Sequence, residues 1–336
     1  MHQNVPLSSA QKSFLELRFG QFIHFGLYSL GEEHEWHMRR HKMSLKRYKN
    51  TFLKHFNPDP AGMEQWVINA KEMGAKYITC TAKHLDGFPL WDTSVPHPKD
   101  NRYHIRSTPF WKKHGTDIIT LLHAACKKHG LKMGLYYCIL DCSCNKKVTP
   151  FSSPAFVSKK PAARDAYTAY YHAHLEELVK KFDNLLLFWI DGYQFNKDYP
   201  EALDANGIYK KVKNLDPRIL MCYNSGNTRE VRDLGGTDVL IFENMAHHGE
   251  KNGAPWPRDD PRPAEVCLTI NNHWGYNSKD KNHKNSSDIM QLVLENERRN
   301  SNTLLNFGPK PDGYIADDQV KIAREIGDLY KLQRKK

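Results

Sequence analysis

Eight short apolar runs, most of them separated by segments of helical periodicity, constrain this chain more than any other feature. In order they are GQFIHFG, the residues 77–80 of AKYITCTAKHLDGF, LKMGLYYCILD, DNLLLFWID, RILMCYN, DVLIF, VCLTI and SNTLLNF. Short apolar runs bounded by polar or glycine residues read as strands buried on both faces, the pattern of parallel sheets. Helical patterns at about residues 8–18, 63–73, 117–128, 162–182, 201–214, 287–300 and 317–333 lie before, between or after them. Strand and helix alternating in this way predict an α/β fold, a (β/α)8 TIM-like barrel. A doubly wound open sheet is the alternative, although no G-x-G-x-x-G or P-loop supports nucleotide binding. Residues 226–285 fit least well, because helices after the fifth and sixth strands are not evident.

A length of 336 residues with 40% hydrophobic content suits one large α/β domain, here taken as residues 1–336. The formal charge of +11 invites a polyanionic partner, but the basic residues are scattered over 39–49, 112–113, 159–160 and 331–336. No nucleic-acid module accompanies them, so a solvated basic surface is expected and no nucleic-acid partner. No run approaches the roughly 20 apolar residues of a membrane span, and none at the start resembles a signal peptide. The expectation is a protein without a membrane partner, cytoplasmic as written. Of seven cysteines, Cys80, Cys138 and Cys222 lie in strand-like runs, and Cys142 and Cys144 are too close for an ordinary bridge. Reduced thiols and no structural metal follow. The histidines of EEHEWHMRRHK show no spacing that marks a metal site, and no cofactor is expected.

Parallel barrels keep their chemistry at the C-terminal ends of the strands. Placed side by side, those ends carry His24, then His84 and Asp86, then Tyr136 or Tyr137, Asp191, Asn224, Glu243, and Asn271 with Trp274. Such a ring of donors and acceptors suits a hydroxyl-rich ligand, and the faces of Trp36, Trp91, Trp189 and Trp274 suit the apolar side of a sugar. Each residue alone has a plain structural reading: a satisfied core histidine, or a helix-capping aspartate at 191. Their joint placement on one rim points to a site.

The stretches FGQFIHFGLYSL, the EW of EEHEW, YITCTAKHLDGFPLWDT, GLKMGLYY, LLLFWIDG, CLTINNHWGYN and LLNFGPKPDG span most of residues 19–313. Through them the chain resembles the catalytic domain of α-L-fucosidases, glycoside hydrolase family 29. The resemblance implies a (β/α)8-like barrel, here without the β-sandwich that often follows it. The aspartate of the family's W-x-D-G strand end is the nucleophile, which falls on Asp191. Sugar-binding positions fall on His24, Glu35, Trp36, His84, Trp189 and Tyr136 or Tyr137, and Trp274 belongs to the W-G-Y motif that shapes the pocket. Two departures stand out. Leu85 occupies the second place of a common histidine pair, and CYNSG puts Asn224 where many members have an arginine. The first removes a polar contact and the second a charge, which leaves open a related sugar in place of plain fucose. The implied activity is retaining, exo-acting α-L-fucoside hydrolysis through a covalent glycosyl-enzyme, with transfer to another sugar as a competing outcome. Its partner would be a fucosylated oligosaccharide or glycoconjugate. A related α-L-glycosidase such as an α-L-galactosidase, or a sugar-binding protein without catalysis, are the alternatives. Asp191 argues against the last, since binding alone does not need it.

Retaining hydrolysis needs a second carboxyl, held protonated near the nucleophile. The resemblance names only a region after the fifth strand, where Asp233, Asp238, Glu243, Glu250 and Glu265 compete. Asp238 and Glu265 read as preceding their strands, on the opposite end of the barrel. Asp233 lies in a charged stretch and Glu250 deep in the HHGEKNG loop. Glu243 directly follows the apolar run 239–242 and so emerges on the rim of Asp191, which makes it the expected general acid/base.

Overall fold

A computed structural model describes residues 6–144, 161–192, 204–224, 236–244 and 261–334. Eight parallel strands close into a barrel in chain order: β1 (Phe19–Ile23), β2 (Tyr77–Lys83), β3 (Lys132–Cys138), β4 (Leu185–Asp191), β5 (Leu220–Tyr223), β6 (Val239–Glu243), β7 (Ala264–Thr269) and β8 (Ser301–Phe307). One face of each strand fills the barrel and the other meets the helices. That is why the runs are continuously apolar and lack a period of two: β1, β2, β7 and β8 are buried at every residue. The register sets Tyr136 beside Trp189, Cys138 beside Asp191, and Ile190 beside Tyr223, which leaves Asn224 next to Asp191.

The helices are α1 (Ser9–Leu17), α2 (His37–Arg40), α3 (Leu45–Phe52), α4 (Ala61–Met73), α5 (Pro109–His114), α6 (Ile118–His129), α7 (Pro161–Lys181), α8 (Ala205–Leu215), α9 (Ser286–Glu297) and α10 (Asp317–Arg334). Local chemistry sets several ends. Asp117 caps α6 through Thr120 N at 2.7 Å, three basic residues close its last turn, and Gly130 ends it in the left-handed region. Ser8 and Gln11 form a reciprocal cap on α1. That helix seals the N-terminal end of the barrel: Phe14 packs on Tyr77 with ring centroids 5.7 Å apart, and Asn302 donates to Phe14 O. The ring of helices closes where α10 meets α4. There Gly327 lies so near the backbone of Glu72 that a Cβ would come within 1.9 Å of its carbonyl oxygen.

Among the helices, α3 is capped by Ser44 and buries Tyr48 and Phe52. Residues 225–235 and 245–260, which hold the Asp233 and Glu250 candidates, lie outside the described residues. All seven cysteines are free, and only Cys142 is less than fully buried. Among the described residues no helix is long and apolar enough to cross a membrane.

Candidate active site

The pleat of the barrel strands decides which side chains reach the C-terminal mouth. A pocket of about 100 Å³ opens there, lined by Phe22, His24, Glu35, Trp36, His84, Tyr136, Trp189, Asp191, Asn224, Glu243 and Trp274. Its floor is aromatic. Phe22 lies 5.4 Å from Trp189 and 5.8 Å from Tyr136, and Tyr136 stacks on Trp189 at 5.4 Å and on His84 at 5.3 Å. Below the floor, Trp189 Nε1 donates to Glu265 at 3.1 Å, and the Tyr77 hydroxyl donates to the other Glu265 oxygen. Burial pushes the Glu265 carboxyl up to about 7 against those two donors. Glu265 therefore belongs to β7 and faces the barrel interior, whereas the sequence reading placed it ahead of the strand. The apolar run VCLTI starts one residue too late to reveal it. Asp238 does sit at the N-terminal end, where it accepts from Met221 N and Tyr209 and pairs with Lys213.

Asp191 ends β4 at the pocket wall. Its Oδ2 accepts from the Tyr136 hydroxyl at 2.6 Å, and its Oδ1 accepts from Gly192 N at 2.8 Å and Asn224 Nδ2 at 3.1 Å. The same Asn224 nitrogen donates to Glu243 Oε2 at 2.8 Å. Laid end to end these two bonds span about 6 Å, a ceiling that admits the roughly 5–5.5 Å carboxyl spacing of retaining glycosidases. Burial first, and the charge of Asp191 second, push Glu243 up to about 7, against hydrogen bonds from Asn224 and Trp274. Two carboxyl groups thus share one pocket in different surroundings. One is ringed by donors, and the other is desolvated beside it.

The remaining polar groups are held from behind. Asn306 on β8 donates through Nδ2 to Trp274 O at 2.7 Å, so its oxygen faces His24 Nδ1 at 2.6 Å. His24 Nδ1 must then carry the proton. Burial drives its imidazole down to about 3, so the ring is neutral and Nε2 is an acceptor. His84 is likewise held neutral by burial, and its buried Nδ1 has no partner. Glu35 accepts from Gly275 N at 2.9 Å, joining the loop after β1 to the loop after β7. Only glycine fits at 275, because a Cβ there would come within 2.7 Å of Glu35 N. Arg39 lies over the Trp36 ring at 5.1 Å. Behind the pocket, the fully buried Lys83 donates to Cys138 O at 2.8 Å and pairs with buried Asp141 at 3.5 Å, tying the end of β2 to that of β3.

Not every residue read as a candidate reaches the pocket. Tyr137 points the other way, its hydroxyl 2.9 Å from His174 Nδ1, because neighbouring residues on a strand face opposite sides. Trp91 is buried with its indole on Glu177, and Asp86 is buried against Tyr48 and Phe88 N. Asn271 braces the loop after β7, where its carbonyl accepts from Lys284. Leu85 packs in the core and its carbonyl accepts from Cys142 N; it is absent from the pocket lining. Conversely, the sequence reading passed over Phe22 and Asn306. Asn306 stood inside LLNFGPKPDG, and a polar residue within an apolar strand run was the available signal.

The α-L-fucosidase family model matches residues 2–334. Alpha-L-fucosidase 1 of Arabidopsis thaliana is 23% identical over 342 residues, which cover 97% of this chain and 60% of that protein. The chain thus spans about 60% of the length of that curated relative. Among solved structures, alpha-L-fucosidase isoenzyme 1 from Paenibacillus thiaminolyticus superposes with a TM-score of 0.81 at 26% identity, covering 96% of this chain and 75% of that one. A Bacteroides thetaiotaomicron GH29 enzyme, solved as a trapped covalent intermediate with 2-fluoro-fucosyl fluoride, shares the fold at a TM-score of 0.79 and 22% identity. In that pair, 98% of this chain and 76% of the other are covered.

Proposed function

The chain belongs to the α-L-fucosidase family, and on that premise we propose that it is a retaining, exo-acting α-L-fucosidase acting on terminal fucosyl groups. The observation that carries this reading is the pair Asp191 and Glu243 in one pocket, bridged by Asn224, with Glu243 pushed up to about 7.

In the first step an Asp191 oxygen attacks the anomeric carbon as Glu243 gives its proton to the departing glycosidic oxygen. Donors from Tyr136, Asn224 and Gly192 hold the carboxylate in place for that attack. Forming the ester consumes the charge of Asp191, one of the causes that raises Glu243. Glu243 becomes the stronger acid just as it is needed as a base, to take a proton from the water that breaks the ester. A competing sugar hydroxyl in place of that water gives transfer.

The surrounding groups suit the sugar. His24 Nε2 accepts from a hydroxyl, Glu35 accepts from another, and Trp36 and Trp274 cover its apolar edge. The layer of Phe22, Tyr136 and Trp189 floors the pocket, and a closed floor supports exo action. Release of phenol from an aryl α-L-fucoside tests the reading. Binding of fucose with no turnover would make the chain a sugar-binding protein instead.

A further inference from the structure

We propose that Glu33, His37 and His41 form a binding site for a borderline divalent metal ion of the Zn²⁺ type, on the loop that carries Glu35 and Trp36. In sequence these three residues are spread through a polar stretch. The turn of α2 and its flanks puts them four apart, on one side. Glu33 Oε2 lies 2.6 Å from His41 Nε2 and 3.2 Å from His37 Nδ1, and the three ligand atoms all fall within 4.8 Å of one another. His37 Nδ1 is buried and makes no hydrogen bond, although it faces the carboxylate. A cation between them would satisfy the imidazole and take the place of the hydrogen bond that Glu33 Oε2 shares with His41.

The ligand set is prearranged. His37 packs edge-on against Phe52 at 5.1 Å and lies 4.3 Å from the His41 ring. Glycine at 31 lets the imidazole lie against the chain, since a Cβ there would come within 2.5 Å of Nδ1. Two imidazoles and one carboxylate, with positions left for water, suit Zn²⁺ and its neighbours; Mg²⁺ and Ca²⁺ prefer oxygen alone.

A second mixed group, His97, Asp141 and Cys144, is built differently. His97 Nδ1 already accepts from Lys99 N and Asp100 N, so Nε2 carries the proton and faces Ser143. Asp141 accepts from Ser143 N and Cys144 N and pairs with Lys83. That network is complete without an ion.

At the Glu33 group, an ion would clamp residue 33 to α2 and so bracket Glu35 and Trp36, which line the pocket. The test is equilibrium dialysis of the full, untagged chain against Zn²⁺ in excess Mg²⁺, beside His41→Ala and Glu33→Gln. Both substituted side chains are about half exposed, at 47% and 48%, so the variants should keep the wild-type melting temperature without zinc. The wild type should retain one more Zn²⁺ per chain than either variant. Affinity should fall at least about tenfold on loss of a ligand. Zinc should also slow amide exchange over residues 31–42 in the wild type alone. Equal zinc retention by all three proteins, or none by any, would overturn the site. Zinc is counted without substrate, so the outcome is independent of the fucosidase reading.

Discussion

Asp191 and Glu243 share one hydrogen-bond donor: Asn224 Nδ2 reaches the first at 3.1 Å and the second at 2.8 Å. Both carboxyls therefore meet any change at Asn224, and Glu243 also feels the charge of Asp191. The acid form of Glu243 is the one that protonates a leaving group. With its carboxyl at about 7, kcat/KM should be level below that pH and fall about tenfold per unit above it. A profile with no basic limb near 7 would remove Glu243 from the role.

Replacing Asn224 should move that limb. Asn224→Leu deletes a donor that pulls Glu243 down, so the limb should shift to higher pH. Asn224→Arg adds a positive charge between the carboxyls and should shift it to lower pH. Identical limbs in both variants would mean that the limb reports some other group.

Glu243→Ala should separate two fucosides by their leaving groups. The poor leaving group should lose about 10²–10⁴-fold in kcat/KM, and an activated aryl group far less. Similar losses on both substrates would assign the acid elsewhere, with Asp233 and Glu250 next to be tried.

Asp191→Gly should lower kcat by about 10³-fold or more and leave the melting temperature close to wild type, since the residue lies at the strand end and is only partly buried. Added azide should restore part of the turnover of an activated fucoside by attacking from the vacated position. Near-normal turnover without azide would show that the nucleophile is another residue.

Behind the pocket, Lys83→Met should cost about 3–5 kcal/mol, because it strands the buried charge of Asp141. Burial works to raise that carboxyl, and the Lys83 charge with the hydrogen bonds from Ser143 and Cys144 outweighs it and holds it below the usual aspartate range. The stabilisation is therefore present at neutral pH and is lost as pH falls through the lowered value. Denaturant melts at pH 7 measure the loss; an unchanged midpoint would mean that the pair contributes nothing.

The barrel was readable because its strands carry an unbroken apolar signature and their helices carry caps, as Asp117 and Gly130 do for α6. Strand-end positions such as His24, His84, Asp191 and Glu243 followed from counting along those runs, and the pocket collects all four. Side-chain direction did not follow. Tyr136 and Tyr137 are equivalent by composition, and only the pleat separates them. Leu85 illustrates the same limit: its place beside His84 suggested a role in choosing the sugar, yet it packs into the core. Leu85→His should thus cost about 1–3 kcal/mol through an unpaired buried imidazole, with equal effect on fucosides and other α-L-glycosides. Asn306 was hidden for another reason. Its effect on His24 arises between β8 and β1, at opposite ends of the chain.

The pairing of β1 with β8 has a bearing on how the molecule comes to exist. Chain leaves the ribosome N-terminus first, so β1 must wait for a partner more than 275 positions downstream, with residues 301–307 yet to be made. Until then the growing sheet has two bare margins, β1 on one side and the newest strand on the other, each able to recruit a stranger. Closure cannot precede the exit of β8, and the open sheet stays available for chance pairing up to that moment.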